Sequence, residues 1–450
     1  MNKQCALDRC AQLPGGLEKL AASIERARTS TFFYKRLFRK HLRDEEWEKD
    51  LPSRFGRLPF TSKEDVVRNY PDGFLSVAMR DVALYCESTG TSGNTLGSTK
   101  GASFYTSGDL ERDADRRFSP DLEIGPDDVV ANALPFALTS SGICFQMAAR
   151  SKGAAVINLD AGSILSSPTK HIEIISSLRA TVLIGSLPLL YSSLVALDGE
   201  DPKERFSSLR AVQLCGLPTL PNGKKKISEI FGVPVYDTYG LSEFGATTFT
   251  CSHGEMHVFE DDFLIEVIDP RTGIPVGDGV GGEIVITTLS RQGSPKIRYR
   301  TSDFGILEYS SCSCGRSAPR LTVKGRLRDA AQFGERFRLP IDFEEVLFRF
   351  PETTGLYRLT YEPAEQSRNE LQSAIVAARV VVDVNQPNEQ LRRQIEQALH
   401  DAIGANISVE LVKVGEATPE LVNQKMYTSV RTIKSASFND QRPTEWLVTY

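Results

Sequence analysis

The middle of the chain contains a segment, residues 129–158, that begins Val129-Val130-Ala131-Asn132-Ala133-Leu134 and ends Ala154-Ala155-Val156-Ile157-Asn158. Both ends are short, apolar, β-rich runs, and between them lie Pro135 and the small run Thr139-Ser140-Ser141-Gly142. Although its uncharged part is long enough for a membrane span, the proline and the small polar residues favour a strand, a turn and a helix. We therefore predict a buried strand–turn–helix unit here.

Apolar runs of the same kind recur after this segment and alternate with helical patterns. The runs are residues 181–184, 209–214 and 233–235, and the helical patterns are residues 172–178 and 225–231. Strands that alternate with helices predict parallel βαβ units. From about residue 256 to 325 the pattern changes to short strands separated by turns, which predicts an antiparallel subdomain.

The two ends of the chain have patterns of their own. Residues 16–70 are rich in helix formers, and Thr61-Ser62-Lys63-Glu64 is typical of a capping box that opens a helix. After Arg326, strand-like runs surround a helix with apolar residues at steps of four from Leu391 to Ile403, which predicts a small α+β domain with a ferredoxin-like order. We divide the chain into residues 1–80, a helical segment of the large domain, 81–325, its α/β core, and 326–450, the C-terminal domain.

Composition and charge exclude several classes of protein. The chain has 450 residues, 53 Lys plus Arg against 58 Asp plus Glu, 25% charged and 40% apolar residues, which is typical of a soluble globular protein. The net charge of −5 and the absence of a basic run longer than residues 224–226 argue against nucleic acid as a partner. The N-terminus lacks a long apolar region, and eight cysteines suit a reduced compartment, so we expect a cytoplasmic protein without a membrane partner.

Three short motifs carry groups suited to binding a nucleotide. Ser88-Thr89-Gly90-Thr91-Ser92-Gly93 can turn backbone N–H groups and hydroxyls onto a phosphate. Tyr239-Gly240-Leu241-Ser242-Glu243 places a carboxylate just past a strand, where α/β sheets bind ligands. Arg298-Tyr299-Arg300-Thr301-Ser302-Asp303 places an aspartate that could accept two ribose hydroxyls. Taken singly, the first motif fits a flexible surface turn and the third fits a hairpin end with exposed charges better than a nucleotide site, whereas the second fits a surface turn and a ligand site equally.

The order of these motifs, followed by Gly325-Arg326-Leu327-Arg328-Asp329, resembles that of the adenylate-forming (acyl-activating) enzymes, and most closely their phenylacetate–coenzyme A ligase-like branch. Typical of that branch are Phe32-Phe33-Tyr34-Lys35, Leu58-Pro59-Phe60-Thr61-Ser62-Lys63, Tyr105-Thr106 with Asp109, and Cys312-Ser313-Cys314-Gly315-Arg316. The resemblance implies a large adenylate-forming domain of parallel α/β sheets with a small antiparallel β subdomain, followed by a mobile C-terminal domain.

The resemblance also implies two half-reactions that use ATP and Mg²⁺. A carboxylic acid attacks the α-phosphate of ATP and releases pyrophosphate, and a thiol or another nucleophile then captures the acyl adenylate. The nucleotide would be bound by the glycine-rich loop, by Tyr239 with Gly240, by Asp303 and by Arg326, and Glu243 would hold magnesium. The mobile domain would deliver Lys425 to the α-phosphate, with Lys434 as the rival lysine.

The chain departs from the family pattern in three places. Gln424-Lys425 stands where Gly-Lys is expected, Arg328 stands where the hinge aspartate is expected, and Cys215-Gly216-Leu217-Pro218 lacks the usual glutamate. An apolar pocket wall at the last position suits an aromatic or cyclic acid. The residues expected to line this pocket, each equally compatible with core packing, are Phe136, Ser140, Ser141, Phe145, Gly216 and Leu217.

A second group of residues suggests a metal site. Cys251, His257, Cys312 and Cys314 supply three thiols and one imidazole, which suit tetrahedral zinc with every position filled. The related branch often carries such a cluster, and His253 is the alternative imidazole. Because a closed site leaves no position for a substrate, we expect a structural zinc.

Three functions remain open at the level of sequence. The first is an ATP-dependent ligase that joins an aryl or similar acid to coenzyme A. The second adenylates the acid but passes it to a carrier-protein thiol or to an amine, forming an amide. The third is a binding protein that has kept the fold and lost turnover. A homodimer is compatible with the resemblance.

Overall fold

The computed structural model describes most of the chain, namely residues 6–39, 41–42, 48, 51–87, 101–160, 167–187, 190, 194, 196–197, 199–333, 336–363, 375–404, 406–413, 416, 431–433 and 444–448. The helices are α1 Ala6–Gln12, α2 Gly16–Ser30, α3 Phe32–Phe38, α4 Leu51–Phe55, α5 Lys63–Arg68, α6 Ser107–Asp115, α7 Ser141–Ser151, α8 Pro168–Ser177, α9 Pro202–Arg205, α10 Pro221–Phe231, α11 Pro340–Leu347 and α12 Glu389–Ile403.

The strands are β1 Leu84–Glu87, β2 Ala102–Tyr105, β3 Val129–Asn132, β4 Ala155–Asn158, β5 Val182–Gly185, β6 Ala211–Cys215, β7 Val235–Thr238, β8 Gly240–Leu241, β9 Gly245–Ala246, β10 Thr248–Thr250, β11 Met256–Val258, β12 Phe263–Ile268, β13 Gly281–Thr288, β14 Tyr299–Glu308, β15 Arg320–Arg326, β16 Ala331–Phe333, β17 Arg336–Arg338, β18 Thr353–Pro363, β19 Ile375–Val384, β20 Asn406–Val412, β21 Arg431–Ile433 and β22 Thr444–Val448.

The chain divides into two compact units. The first contains residues 1–125, 136–153 and 236–323, and the second contains residues 126–135, 154–235 and 324–450. Because this division follows contacts rather than chain order, the division into residues 1–80, 81–325 and 326–450 stays a prediction.

A parallel sheet with the strand order β4-β3-β5-β6-β7 forms the centre of the second unit. Strand β3 pairs in parallel with β4 and β5, and β5 pairs in parallel with β6. Helix α8 follows β4, and α10 lies between β6 and β7 in the chain. Apolar strands of this kind can be covered by helices. Strand residues such as Val212 form one apolar core with helix residues such as Ile175 and Ile227.

A six-stranded sheet with the order β10-β11-β15-β14-β13-β12 belongs to the antiparallel region of the first unit. All six residues of β12 are buried. Residues of α2 such as Leu20 and Ile24 share one apolar core with Ile265 of β12 and Ile286 of β13. The mixed α/β class with one parallel and several antiparallel sheets is therefore confirmed.

The capping box at α5 lies one residue later than the sequence suggested. Ser62 is the N-cap and exchanges hydrogen bonds with Asp65, 3.1 Å from the Asp65 N–H to Ser62 Oγ and 2.8 Å from the Ser62 N–H to Asp65 Oδ2. Thr61 cannot take this role because it is bridged to Tyr299 and its hydroxyl donates to the Ile297 carbonyl at 2.8 Å.

The C-terminal part of the second unit contains a sheet with the order β20-β19-β18-β22-β21. Strands β19 and β20 are parallel and are joined through α12, whose apolar side chains at steps of four are buried. Asn388 caps its first turn and Gly404, with φ of 82°, ends it. The ferredoxin-like assignment stays a prediction. Among the described residues, no helix is long and apolar enough to cross a bilayer.

Candidate functional site

Glu243 lies at the tip of a tight hairpin in the first unit. Strands β8 and β9 pair antiparallel, with Gly240 opposite Ala246 and Leu241 opposite Gly245. A Cβ atom on Gly240 would lie 2.2 Å from the carbonyl oxygen of Gly245, so the hairpin requires glycine there. The Tyr-Gly-Leu-Ser-Glu motif therefore uses its glycine to present the glutamate.

The Glu243 carboxylate is buried, with an exposed fraction of only 4%. The Tyr299 hydroxyl donates to Glu243 Oε1 at 3.2 Å. The other oxygen, Oε2, has no protein hydrogen bond within the described ranges. The donor chemistry of Glu243 thus fits a hard divalent cation.

Tyr239 and Asp303 form a second contact of the same region. The Tyr239 hydroxyl donates to Asp303 Oδ2 at 2.7 Å. The backbone N–H of Tyr239 donates to the hydroxyl of Thr248 at 2.9 Å, and Asp303 is buried, so both side chains are held in place. The structure thus brings together an aromatic ring and a carboxylate from motifs 64 residues apart in the chain.

Lys296 is a buried cation close to this site that the sequence did not single out. Its ammonium group is inaccessible to solvent, donates to the Ser294 carbonyl at 3.3 Å and lies 4.7 Å from the centre of the Phe74 ring. Burial lowers its pKa to about 7, although the charge of Glu243 opposes the shift. A lysine that can be neutral near pH 7 therefore lies within electrostatic reach of Glu243.

The expected acyl-pocket residues of the first unit follow Pro135. Ser140 is buried and its Oγ lies 3.3 Å from the Tyr105 hydroxyl, while Ser141 lies 3.2 Å from Thr139 through their hydroxyls. Phe145 has no exposed surface and contacts the ring of Phe118 edge-on at 5.3 Å. Phe136 is half-buried. Their role in binding an acid stays a prediction.

Three further predicted residues lie in the second unit. Gly216, with φ of 102°, and Leu217 directly follow β6, and Arg326 is the last residue of β15. The glycine-rich residues Ser88, Thr89, Gly90, Thr91, Ser92 and Gly93, and the lysines Lys425 and Lys434, lie outside the described residues. The described chain does bring β1, which ends at Glu87, into an antiparallel pair with β2, which begins at Ala102.

The predicted zinc ligands lie together. The ligand atoms of Cys251, His257, Cys312 and Cys314 all lie within 4.8 Å of one another. Cys251 Sγ lies 4.0 Å from Cys312 Sγ, and Cys314 Sγ lies 3.4 Å from His257 Nε2. A tetrahedron with Zn–S bonds of about 2.3 Å has S···S edges of about 3.8 Å, so the spacing fits.

The second ring nitrogen of His257 orients the imidazole. Nδ1 lies 2.8 Å from the Ala318 carbonyl oxygen and so carries the proton, which leaves Nε2 as the electron-pair donor that faces Cys314. His253 is exposed and is not part of the cluster.

The thiols of Cys251 and Cys314 have opposite tendencies to ionise. Burial raises the pKa of Cys251 to about 11. Burial would also raise the pKa of Cys314, but the Arg316 backbone N–H and the neighbouring thiols outweigh it and lower the pKa to about 6. Cys314 is thus ready to bind a cation as thiolate, whereas a metal ion would have to displace the proton of Cys251.

Comparison with known proteins places this site in a family. The family described as AMP-binding enzyme matches residues 59–290, which is more than half of the chain. The chain belongs to the AMP-binding enzyme family. The matched residues include the glycine-rich loop and the hairpin that carries Glu243.

Curated relatives and solved structures cover most of this family member. It is 29% identical over 392 residues to a phenylacetate-coenzyme A ligase of Thermus thermophilus, covering 82% of this chain and 84% of that protein. It is 24% identical over 370 residues to a phenylacetate-coenzyme A ligase of Escherichia coli K12, covering 80% and 81%. The crystal structure of a 2-hydroxyisobutyryl-CoA ligase in the postadenylation state with 2-HIB-AMP has the same fold, with a TM-score of 0.77, 20% identity, and 89% and 86% coverage.

Several residues around Glu243 could not be assigned to the site from the amino-acid sequence. Tyr299 belongs to the Arg-Tyr-Arg-Thr-Ser-Asp motif, but nothing in the spacing of that motif shows that the Tyr299 hydroxyl contacts the glutamate. Tyr105 was noted as typical of the branch without a role. Arg291 and Lys296 carried no signal, because a single basic residue between strands is ordinarily a solvated one.

Proposed function

We propose that this protein is an ATP-dependent, AMP-forming ligase that activates a carboxylic acid and joins it to coenzyme A, with an aryl acid of the phenylacetate type as the substrate. The acid's carboxylate attacks the α-phosphorus of ATP, and the bond to the bridging oxygen breaks, releasing pyrophosphate. The coenzyme A thiol then attacks the acyl carbon and AMP leaves. Family membership and the curated relatives support this reaction.

The observation that carries the proposal is that one compact unit contains both the buried Glu243 carboxylate and the Tyr239–Asp303 contact. Tyr239 would pack against the adenine, and Asp303 would accept the ribose hydroxyls. Attack by an anion on a polyanion needs charge neutralisation and alignment more than a proton-transfer residue. Glu243, Tyr239 and Asp303 would supply binding and orientation of that kind.

Magnesium is the first metal that the proposal includes. Glu243 would hold it through Oε2, which accepts no hydrogen bond from the residues that the structure describes, and the ion would supply neutralisation of the phosphate charge. Tyr299 would keep the carboxylate in one orientation, since its hydroxyl occupies the other oxygen.

Zinc is the second metal, at the site built from Cys251, His257, Cys312 and Cys314. Three sulfurs and one imidazole nitrogen at tetrahedral spacing support it. All four positions would be filled by protein, so its role would be structural and it would take no part in acid activation.

The C-terminal lysine that would reach the α-phosphate is proposed to be Lys425. Both Lys425 and Lys434 lie outside the described residues, so the assignment rests on the resemblance of residues 419–425 to the family's final motif. Substituting each lysine with alanine separates the two, because only the catalytic one should be needed for adenylation.

Pyrophosphate exchange into ATP tests the proposed adenylation directly. Purified protein is incubated with ATP, Mg²⁺, labelled pyrophosphate and one acid at a time from a panel of aryl, cyclic and short aliphatic acids. We expect exchange that depends on an aryl acid. Folded protein that shows no acid-dependent exchange would refute the proposal.

The acceptor is identified in a second step with the best acid. Coenzyme A, a carrier protein or an amine is added separately, and the products are weighed by mass spectrometry. We expect the acyl thioester of coenzyme A, and an acyl carrier protein or an amide as the product would correct the second half-reaction while leaving the first intact.

A further inference from the structure

The backbone on both sides of Glu243 is held by buried side chains from other parts of the first unit. The Tyr105 hydroxyl donates to the carbonyl oxygen of Ser242 at 2.9 Å. The Arg291 guanidinium donates through Nη2 to the carbonyl oxygen of Phe244. Because these two carbonyls flank the glutamate, its position in the hairpin follows the positions of Tyr105 and Arg291.

The far strand of the hairpin is held in the same manner by Asp113. Its Oδ1 accepts from the backbone N–H of Ala246 at 2.8 Å. A Cβ atom on Gly245 would lie only 2.4 Å from Oδ1 of this carboxylate. The hairpin can therefore come this close to Asp113 only with glycine at position 245. Asp113 Oδ2 accepts from Arg117 at 2.6 Å, which fixes the carboxylate in turn.

Arg291 and Tyr105 form one buried pair. The guanidinium carbon lies 4.0 Å from the centre of the Tyr105 ring, and the exposed fractions are 7% for Arg291 and 0% for Tyr105. Burial opposes the charge of Arg291, but Tyr105, Asp109 and Asp113 outweigh it and raise its pKa. The cation is therefore permanent.

This arrangement is poor for stability alone. Arg291 Nη1 is buried and, among the described residues, has no hydrogen-bond partner. Leaving a buried charged donor unpaired is destabilising, and an apolar side chain of similar length would fill the space without that cost. A function for the guanidinium explains why the position carries arginine.

We propose that Arg291 is a positioning residue for adenylation, which holds Glu243, through the Phe244 carbonyl and the Tyr105 ring, in the orientation that binds the magnesium ion accompanying ATP. This inference rests on the proposed function. Within the described ranges, the contacts of Arg291 are with the Phe244 carbonyl and the Tyr105 ring rather than with Glu243, Tyr239 or Asp303, so its effect on the glutamate is indirect.

The test compares three variants of the full-length protein. Arg291→Met removes the donor and keeps the side-chain length, and Arg291→Lys restores a charge and part of the donation. Arg298→Lys is the control, because Arg298 is also buried, lies 4.1 Å from the Phe60 ring and donates to Glu266 and to the Gly56 and Leu58 carbonyls rather than to residues 240–246.

Three quantities are measured for each variant. They are the Mg²⁺ concentration that half-saturates pyrophosphate exchange, the affinity for Mn²⁺ by electron paramagnetic resonance with a non-hydrolysable ATP analogue, and the melting temperature. Loss of a positioning partner behind a metal ligand typically costs about 10- to 100-fold in metal affinity or activity. We expect a shift of that size for Arg291→Met, partial recovery for Arg291→Lys, and no shift for Arg298→Lys.

The melting temperature separates positioning from simple structural support. We expect Arg291→Met to melt within a few degrees of the parent while its metal requirement rises. Unchanged metal affinity in a folded Arg291→Met protein would overturn the inference and leave the proposed function intact. A parent protein that neither exchanges pyrophosphate nor binds Mn²⁺ with the nucleotide analogue would overturn both.

Discussion

At the scale of single residues, Glu243 combines near-complete burial with a carboxylate oxygen that no described protein donor satisfies. Glu243→Gln keeps the shape and can still accept the Tyr299 hydrogen bond, but it removes the charge. We expect acid-dependent pyrophosphate exchange to fall about 100-fold or more, since lost charge stabilisation of about 3 kcal/mol has that effect on a rate. Exchange assays and thermal melting measure the two properties.

Glu344→Gln is the matched control for this substitution. Glu344 is also buried, and its Oε1 accepts from the Tyr357 hydroxyl at 2.9 Å, but it lies in the second unit. We expect it to retain exchange. Equal losses in both variants would mean that any buried glutamate matters, which would contradict a specific role for Glu243.

Tyr239 positions Asp303 through a short hydrogen bond of 2.7 Å. Tyr239→Phe keeps the ring but removes its hydrogen bond to the Asp303 carboxylate, and a hydrogen bond to a charged group is worth about 1.5–3 kcal/mol. We expect the KM for ATP to rise about tenfold with kcat changed less than twofold. Tyr236→Phe is the control, because the Tyr236 hydroxyl donates to the Asp121 carbonyl at 3.3 Å, and a rise in its KM would argue against the assignment.

Lys296 makes stability depend on pH. Burial lowers its pKa to about 7, so between pH 7 and the ordinary lysine value near 10.4 the unfolded chain binds more protons than the folded one. The free energy of unfolding contributed by this group therefore rises with pH across that window. Lys296→Met should remove the contribution and stabilise the protein at pH 7 by about 1–4 kcal/mol.

Urea denaturation at pH 7, 8 and 9 measures this difference between parent and variant. We expect the gain from Lys296→Met to shrink as pH rises. Lys225→Met is the control, since Lys225 lies exposed on α10, and it should leave the dependence unchanged. A Lys296→Met protein that is less stable than its parent at pH 7 would show that the ammonium is stabilising.

At the scale of elements, the cluster of Cys251, His257, Cys312 and Cys314 connects the β10–β11 hairpin with the loop between β14 and β15. We expect the parent protein to contain about one zinc ion per chain, measured by mass spectrometry of the metal. Cys312→Ser should abolish this zinc content. We expect the melting temperature to fall by about 5–10 °C, because metal bound only by the folded state contributes directly to folding.

Cys10→Ala serves as the control for this prediction. Cys10 is a buried thiol in the apolar core and no part of the cluster, so its variant should lose some packing and keep its zinc. A parent protein purified without zinc, together with an unchanged melting temperature of Cys312→Ser, would contradict the proposed zinc site.

At the scale of the whole molecule, α10 and α11 join two distant parts of the second unit. Asn222 donates through its backbone N–H to Glu345 Oε1 at 3.1 Å and through Nδ2 to the Glu345 carbonyl at 2.8 Å. The Lys226 ammonium donates to the Phe350 and Pro351 carbonyls at 3.2 and 2.7 Å. Since the last carbonyls after a helix attract cations, this contact favours docking of α11.

Asn222→Asp should weaken this docking, because it replaces the Nδ2 donor to the Glu345 carbonyl with a carboxylate oxygen and adds a negative charge next to Glu345. We expect faster amide hydrogen exchange in residues 340–350, measured by mass spectrometry at neutral pH. Asn69→Asp, at the end of α5 in the first unit, is the control and should leave those residues unchanged. Unaltered protection in Asn222→Asp would show that the apolar core alone holds α11.

Local patterns account for what could be predicted correctly. The alternation of apolar runs with helical patterns indicated the parallel sheet, because burial of both faces of a strand requires a continuous apolar run. The steps of four from Leu391 to Ile403, with Asn388 and Gly404 at the ends, indicated α12 with its caps. Each of these signals lies within a few residues, where the backbone's own geometry connects sequence to structure.

The composition of the cysteine and histidine set and the order of the motifs could also be recognised in the amino-acid sequence. The sequence predicts His257 as the imidazole and leaves His253 as the alternative, and the tertiary structure, in which β11 pairs with β15, decides for His257. The N-cap of α5 is Ser62 and not the predicted Thr61 for a similar reason, because Thr61 forms a β-bridge with Tyr299.

The surroundings of Glu243 depend entirely on tertiary packing. Tyr299 lies 56 residues away in the chain, and Arg291 is 47 residues from the carbonyl that it contacts. Contacts over such separations form because whole strands and helices pack, and no local spacing encodes them. The chain alone thus specifies its elements, its motif order and its donor atoms, whereas their orientation around the glutamate exists only once the units have folded.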